Sequence, residues 1–206
     1  MNVLLINGSP HEKGCTYTAL SLIAGELNKA GIDTEILHVG GKPVGGCIGC
    51  GGCRSGNGCV FGGVVNEAIE KAKTADGFVF GSPVHYASAS GNMTSFMDRL
   101  SYAGGKYLAY KPAAICCSAR RAGTTTTLDQ LVKYPQFFHM PLVNGSYWAM
   151  VHGSNPEQVL QDAEGCAVMQ ELGRNMAWLL RCIEAGKAAG IDHPQNPPRP
   201  MTSFIR

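Results

Sequence analysis

Strand, helix and strand follow one another within residues 1–39, and that succession limits the chain to a parallel α/β sheet. Val3 to Ile6 is an uninterrupted apolar run ended by Asn7-Gly8-Ser9-Pro10. A short run that is apolar at every residue suits burial on both faces, and the Gly-Pro cluster turns it into a loop. From Thr16 the period becomes helical, with Leu20, Ile23, Ala24 and Leu27 at i, i+3, i+4 and i+7. Gly31 stops that helix, and Thr34 to Val39 reads as a second strand. Such a pair of strands is joined by a right-handed crossover.

Residues 40–63 break the rhythm: they are rich in Gly and Cys and carry no periodicity. A connection that long is functional or disordered, and its cysteines favour function. Rhythm resumes with Val65, Ala68, Ile69 and Ala72 on one helical face, then a buried strand over Gly77 to Gly81. Gly91 to Tyr102 reads as a helix with Met93, Phe96, Met97 and Leu100 towards the core. A fourth strand covers Ala113 to Cys117. A helix around Thr125 to Val132 and a fifth strand around Pro141 to Val143 follow. The last element is a long helix, broken or bent near Gly165, with Val168, Leu172, Met176, Leu179 and Ile183 on its apolar face. We therefore expect one doubly wound domain over 1–190, with a cysteine-rich insertion at 40–63 and a Pro-rich tail over 191–206. The four prolines from Pro194 onward exclude a helix there.

Charge is nearly balanced, with 17 Lys and Arg against 15 Asp and Glu, which argues against nucleic acid or an anionic membrane as partner. No apolar stretch approaches the roughly 18 residues of a membrane span. The first residues lack the basic segment and cleavage site of a signal peptide, so the expected location is cytoplasmic. Nine cysteines are many for that compartment, where disulfides are seldom kept, and the odd count argues against a closed disulfide framework. Cys116, Cys117, Cys166 and Cys182 read as small buried hydrophobes. Cys47, Cys50, Cys53 and Cys59 crowd one Gly-rich stretch.

In open parallel sheets ligands bind beyond the carboxyl ends of the strands, and three loops leave such ends. The first runs from Gly8 to Thr18 and carries Ser9, His11, Lys13, Gly14, Cys15, Thr16 and Thr18 just before a helix. The free N–H groups and positive end of that helix suit a phosphate dianion. The same residues also suit a plain strand-to-helix turn capped by Thr16. Neither the Gly-x-x-x-x-Gly-Lys-Ser/Thr loop nor Gly-x-Gly-x-x-Gly occurs there, which disfavours nucleoside triphosphates and a dinucleotide fold. The second loop, Gly81 to Asn92, holds Ser82, Pro83, Val84, His85 and Tyr86. Pro83 stiffens it, and the Tyr86 ring could lie against a planar ligand. The third, Ser118 to Thr124, brings Ser118, Arg120, Arg121, Gly123 and Thr124 to the same end of the sheet. His85, His139 and His152 are candidates to line the substrate face.

Gly8-Ser9-Pro10 with Gly14-x-Thr16, then Gly81-Ser82-Pro83-Val84-x-Tyr86 with Gly91-x-Met93 and Phe96-x-Asp98-Arg99, resemble the NADPH-dependent FMN reductase and iron–sulfur flavoprotein family. The likeness covers about the first 125 residues. It implies a flavodoxin-like doubly wound parallel five-stranded sheet of order 2-1-3-4-5, with helices on both faces and FMN as cofactor. It places the FMN phosphate at Ser9, His11, Lys13, Gly14, Cys15, Thr16 and Thr18. The isoalloxazine falls against Ser82 to Tyr86 and the loop Ser118 to Thr124. His11 stands where relatives often carry Arg. On this reading Tyr86, Arg120 and Arg121 orient and tune a flavin that does the chemistry itself, a nearby cation favouring its anionic reduced form.

Cys47-x2-Cys50-x2-Cys53-x5-Cys59 puts four soft ligands on one flexible loop, a set that selects iron–sulfur or zinc, with free thiols as the remaining reading. Its spacing resembles the compact motif with which iron–sulfur flavoproteins bind a 4Fe–4S cluster. The expected activity is an FMN-dependent oxidoreductase of flavin, quinone, azo or nitro reductase type, taking electrons from NAD(P)H or ferredoxin. The alternative is an electron carrier like flavodoxin with no substrate site of its own. The slightly basic pI of about 8.1 disfavours the carrier, because flavodoxins are typically strongly acidic. The long final helix and the tail, with Phe204 and Ile205, suggest a homodimer or homotetramer.

Overall fold

The computed structural model describes residues 1–198, 200 and 202. Strand β1 (Asn2–Asn7) leads through helix α1 (Cys15–Lys29) to β2 (Asp33–His38). Helix α2 (Val64–Thr74), strand β3 (Gly77–His85), the short β4 (Ser88–Ala89) and helix α3 (Gly91–Gly104) come next. Then follow β5 (Ala113–Ala119), α4 (Thr124–Phe137), β6 (Met150–His152), α5 (Pro156–Val159) and α6 (Ala163–Ala188).

The strands lie in the order β2-β1-β3-β5-β6, every neighbouring pair parallel, while β4 pairs antiparallel with β3 alone. Without that two-residue hairpin arm the order is the expected 2-1-3-4-5. Alternation along the strands splits the core in two. Leu4, Ile6, Phe78 and Phe80 face α2, α3 and Leu131 of α4. Val3, Leu5, Val79, Ala114 and Cys116 face α1 and α6. Both faces of the sheet are therefore covered, as the near-continuous apolar strands require.

The structure corrects the sequence-based expectations in three places. Residues 141–143 are only a foothold of the fifth strand: Ala113 donates to the Pro141 carbonyl, and Val143 donates back to Ala113. The chain then swings out and rejoins the edge at Ala149, whose carbonyl accepts from Cys117, so β6 proper is Met150–His152. Next, the final helix does not break at Gly165. It begins two residues earlier, at Ala163, with Asp162 as N-cap accepting from the Gly165 N–H. Lastly, Cys182 is exposed and Cys166 only half-buried, because the apolar stripe of α6 runs through Met176, Ala177 and Leu180 and leaves Cys182 outside it. Among the described residues no helix is long and apolar enough to cross a membrane.

Candidate functional site

Parallel register brings the carboxyl ends of β1, β3 and β5 side by side, with Asn7 opposite Gly81 and Pro83 opposite Ser118. The loops leaving them interlock through buried polar groups. Gly8 donates to the Gly81 carbonyl at 2.9 Å, and Ser90 Oγ donates to the Gly8 carbonyl at 2.8 Å. Asn7, fully buried, accepts from the Ser9 N–H and donates to the Glu12 carbonyl, so it shapes the first loop from within. His38 Nε2 lies 2.8 Å from the Ser9 carbonyl, and because a carbonyl only accepts, the ring must carry its proton there. Gly40 runs so close that a Cβ would sit 2.1 Å from the Ser9 carbonyl oxygen, which no side chain tolerates. Sequence inspection singled out none of Asn7, His38, Gly40 or Ser90. The nearest signal was the position of Asn7 and Ser90 beside predicted strand and helix ends.

The first-loop candidates divide into an open set and a floor. His11 and Lys13 are exposed, and Gly14, Cys15 and Thr18 are half-buried. Gly14 is the N-cap of the 15-residue α1 and no side chain caps it, so the first-turn N–H groups have no side-chain acceptor. Ser9 Oγ accepts from the His11 N–H at 3.1 Å, which leaves its own hydrogen for another acceptor. Thr16 belongs to the floor. It is buried, and its Oγ1 lies 2.8 Å from Ser118 Oγ, joining the first loop to the third. Thr18 Oγ1 turns back to the Gly14 carbonyl, and Cys15 Sγ lies 3.5 Å from the Gly153 carbonyl. Burial pushes the Cys15 thiol above its ordinary pKa, so it sits there as a neutral thiol.

The second loop is a hairpin rather than an open loop. β3 continues to His85, and a two-residue turn of Tyr86 (φ 49°) and Ala87 (φ 58°) returns the chain through β4. Positive φ at both turn residues is the geometry favoured between tightly twisted strands, but it normally calls for Gly or Asn. It leaves Tyr86 fully exposed at the tip. Ser82, by contrast, is completely buried. It donates to the Pro83 carbonyl and accepts from Ser90 N–H, so it holds the hairpin and cannot face an open site. Gln130 fastens the other arm, its Oε1 accepting from Ser88 Oγ and the Ala89 N–H.

The third loop packs against that tip. Gly123 (φ +90°) lies where a Cβ would approach Ala87 Cα to 2.5 Å and Val84 to 2.9 Å. Arg120 and Arg121 are exposed, and Thr124 is buried. Of the histidines, His85 is exposed beside Tyr86 and His152 closes β6 at the same end of the sheet. His139 lies at the opposite end, stacked on Tyr110 ahead of β5, so it cannot line the same face.

The start of the cysteine loop is clamped to the first turn of α3. Asn92, in the first turn of α3, donates to the carbonyls of Gly40 and Lys42 and accepts from the Val44 N–H. Cys47 and Cys50 are exposed, and Cys53 and Cys59 half-buried. Cys59 is the most firmly held: Asn66 accepts from its N–H at 2.8 Å and donates to its carbonyl at 3.1 Å. Arg99, which is buried, donates from Nε to Cys59 Sγ at 3.2 Å.

Residues 1–155 match the NADPH-dependent FMN reductase family. The chain belongs to that family. Membership makes it an FMN oxidoreductase, and the fold agrees. An iron–sulfur flavoprotein of Methanocaldococcus jannaschii is 28% identical over 193 residues, covering 89% of this chain and all of that protein. RosB with bound 8-demethyl-8-formylriboflavin-5′-phosphate superposes with a TM-score of 0.70 at 13% identity, over 100% of this chain and 96% of that one. A flavodoxin from the domain Archaea gives a TM-score of 0.61 at 13% identity, over 88% and 99%. The architecture is thus flavodoxin-like.

The residues present fit FMN. The uncapped start of α1, with Lys13 beside it, answers a phosphate dianion. The hairpin tip and the third loop supply a ledge for a flat ring system. A cluster or zinc is a separate matter. Among the described residues no three Cys, His, Asp or Glu side chains gather in a metal-binding arrangement. The donor set nonetheless fits one in kind, being four thiols on a Gly-rich loop with one sulfur already facing a buried cation. A cavity of about 520 Å³ lies elsewhere, where the split edge strand swings away from Ile115 and α4, and none of the candidate residues lines it.

Proposed function

We propose that this FMN oxidoreductase takes electrons from NAD(P)H or ferredoxin and delivers them to a quinone, azo, nitro or flavin acceptor. An iron–sulfur cluster on Cys47, Cys50, Cys53 and Cys59 would supply a one-electron relay. The observation that carries the reading is the convergence of the uncapped α1 start with the Tyr86 hairpin and the Gly123 loop at one end of the sheet.

When bound, FMN supplies the exchange between two-electron and one-electron transfer, and the protein supplies position and charge. Ser9, Lys13 and the first-turn N–H groups of α1 hold the phosphate. Val84, His85 and Tyr86 would border the bound ring, and Gly123 lets the third loop close against the hairpin. Arg120 and Arg121 bring positive charge to the edge where the reduced ring gathers negative charge. The Asn92 clamp keeps the start of the cysteine loop on the first turn of α3, the helix that follows that hairpin.

The test is an anaerobic absorption spectrum combined with iron, sulfide and zinc analysis of the purified protein. Released FMN with close to four irons and matching sulfide per chain supports the reading. Stoichiometric zinc without sulfide decides against the cluster, and colourless protein decides against the flavin. Addition of NADH, NADPH or reduced ferredoxin to the yellow protein then identifies the donor by which one bleaches it.

A further inference from the structure

Arg99 is a buried cation without a buried anion. The residue is 6% exposed, and among the described residues no carboxylate lies within ion-pairing distance of it. Its neighbour Asp98 is engaged by the Tyr134 hydroxyl instead. The guanidinium meets the carbonyls of Gly45 at 3.3 Å and Gly62 at 3.0 Å, the face of Phe61 at 5.3 Å, and Cys59 Sγ at 3.2 Å. Carbonyls and an aromatic face soften the desolvation of a guanidinium but do not neutralise it. A buried charge left without a counter-charge is strongly destabilising. The one soft, ligand-type atom that Arg99 faces is the Cys59 sulfur. Gly45 and Gly62 also bracket the four cysteines in sequence, so a single side chain holds both ends of their loop.

We propose that Arg99 is a positioning residue that fixes Cys59 as the anchored ligand of the iron–sulfur cluster and raises the reduction potential of that cluster. This rests on the cluster reading given above. Four thiolates around a cubane leave the site net negative, and uptake of one electron without a proton makes it more so. A guanidinium that donates to one ligand sulfur in a water-poor setting stabilises the more negative state more strongly, and so raises the potential. Asn66 serves the same end from the backbone side, because its two hydrogen bonds fix the Cys59 backbone in place. Of the other three cysteines, Cys47 and Cys50 are exposed and Cys53 is half-buried.

The experiment compares wild type, Arg99→Lys and Arg99→Gln, each reconstituted anaerobically, with iron, sulfide and FMN assayed and the cluster titrated electrochemically under EPR. The expected midpoint order is wild type highest, then Arg99→Lys, which keeps the charge but loses the planar fork, then Arg99→Gln. Loss of the cluster in Arg99→Gln alone, with a lowered potential in Arg99→Lys, also supports the proposal. Variants that hold a full cluster at the wild-type potential overturn it while leaving the cluster reading intact. Loss of the cluster from both variants overturns it too, since a lysine keeps the charge made decisive here. Wild type without iron and sulfide removes the cluster reading itself and the proposal with it.

Discussion

Thr16 Oγ1 and Ser118 Oγ lie 2.8 Å apart, both buried, and join the loop after β1 to the loop after β5. Phosphate and ring contacts, on our reading, are therefore mounted on one connected floor. A carboxylate at Thr16 would be forced into that floor, so Thr16→Glu should cost several kcal/mol of stability. His11→Glu, at an exposed position, should leave stability within about 0.5 kcal/mol and weaken FMN about tenfold by repulsion. Thermal denaturation alongside fluorescence titration of FMN into apoprotein separates the two. Equal melting temperatures for both variants would place Thr16 wrongly.

Gly123 is expected to be irreplaceable for local reasons. Its φ of +90° and the 2.5 Å approach of an added Cβ to Ala87 Cα act together. Gly123→Ala adds about 1–2 kcal/mol of backbone strain and pushes the third loop off the hairpin. FMN affinity should fall by about tenfold or more, measured by the same titration. A variant with unchanged affinity would show that the two loops need not touch for the ring to bind.

Much of this floor was legible in the sequence and some of it was not. Strand and helix identities followed from apolar period alone, because both sheet faces are covered and the pattern is uninterrupted from Val3 to Ile6. The fifth strand was misplaced because its pairing is shared between Pro141–Val143 and Ala149–His152, with the chain looping out between. No local pattern encodes an edge that is left and rejoined. The Tyr86-Ala87 turn escaped notice because it lacks the Asn-Gly or Gly-Gly dipeptide that normally marks such a turn. Asn92 and Asn66 were invisible for another reason: their partners lie 48 to 52 and seven residues away, in a loop without period.

Thiol reactivity should follow burial. Desolvation pushes the Cys116 thiol far up and that of Cys117 to about 12. At neutral pH the metal-free native protein should alkylate at Cys47, Cys50 and Cys182, which are exposed, and spare Cys116 and Cys117. A raised folded-state pKa stabilises below the unfolded thiol value and is lost as pH climbs through the folded one. Stability should therefore decline from about pH 8.5 upward, where only the unfolded chain ionises. Mass spectrometry of iodoacetamide-treated protein and alkaline denaturation curves check both. Early modification of Cys117 in folded protein would contradict the buried strand.

The outer face of α6 predicts self-association. Trp178 is 67% exposed on that helix and Ile191 69% exposed just beyond it. Phe204 and Ile205, named from the sequence as docking residues, lie outside the described residues. Sedimentation at micromolar concentration should give a dimer or tetramer, and Trp178→Asp should shift it to a smaller species. A monomeric wild type removes the idea.

The last prediction concerns turnover. The described chain offers one sheet end equipped for a nucleotide and no dinucleotide fingerprint, so a nicotinamide has only the exposed flavin face on which to stack. The acceptor, being planar as well, needs the same face. Donor and acceptor must then alternate, which gives parallel double-reciprocal lines and competition between oxidised donor and acceptor. On our reading Tyr86 borders that face, on a turn with positive φ at both residues, and Gln130 holds the hairpin behind it. Tyr86→Ala should therefore change the apparent constants for both substrates together, by roughly three- to tenfold, the range of one aromatic contact. Gln130→Ala, which only loosens the hairpin, should move both in the same direction by less. Intersecting lines, or a Tyr86 effect confined to one substrate, would mean that donor and acceptor occupy separate places. Bleaching by reduced ferredoxin but by neither nicotinamide would point instead to the cysteine loop, since electrons arriving singly enter best where Cys47 and Cys50 reach the surface.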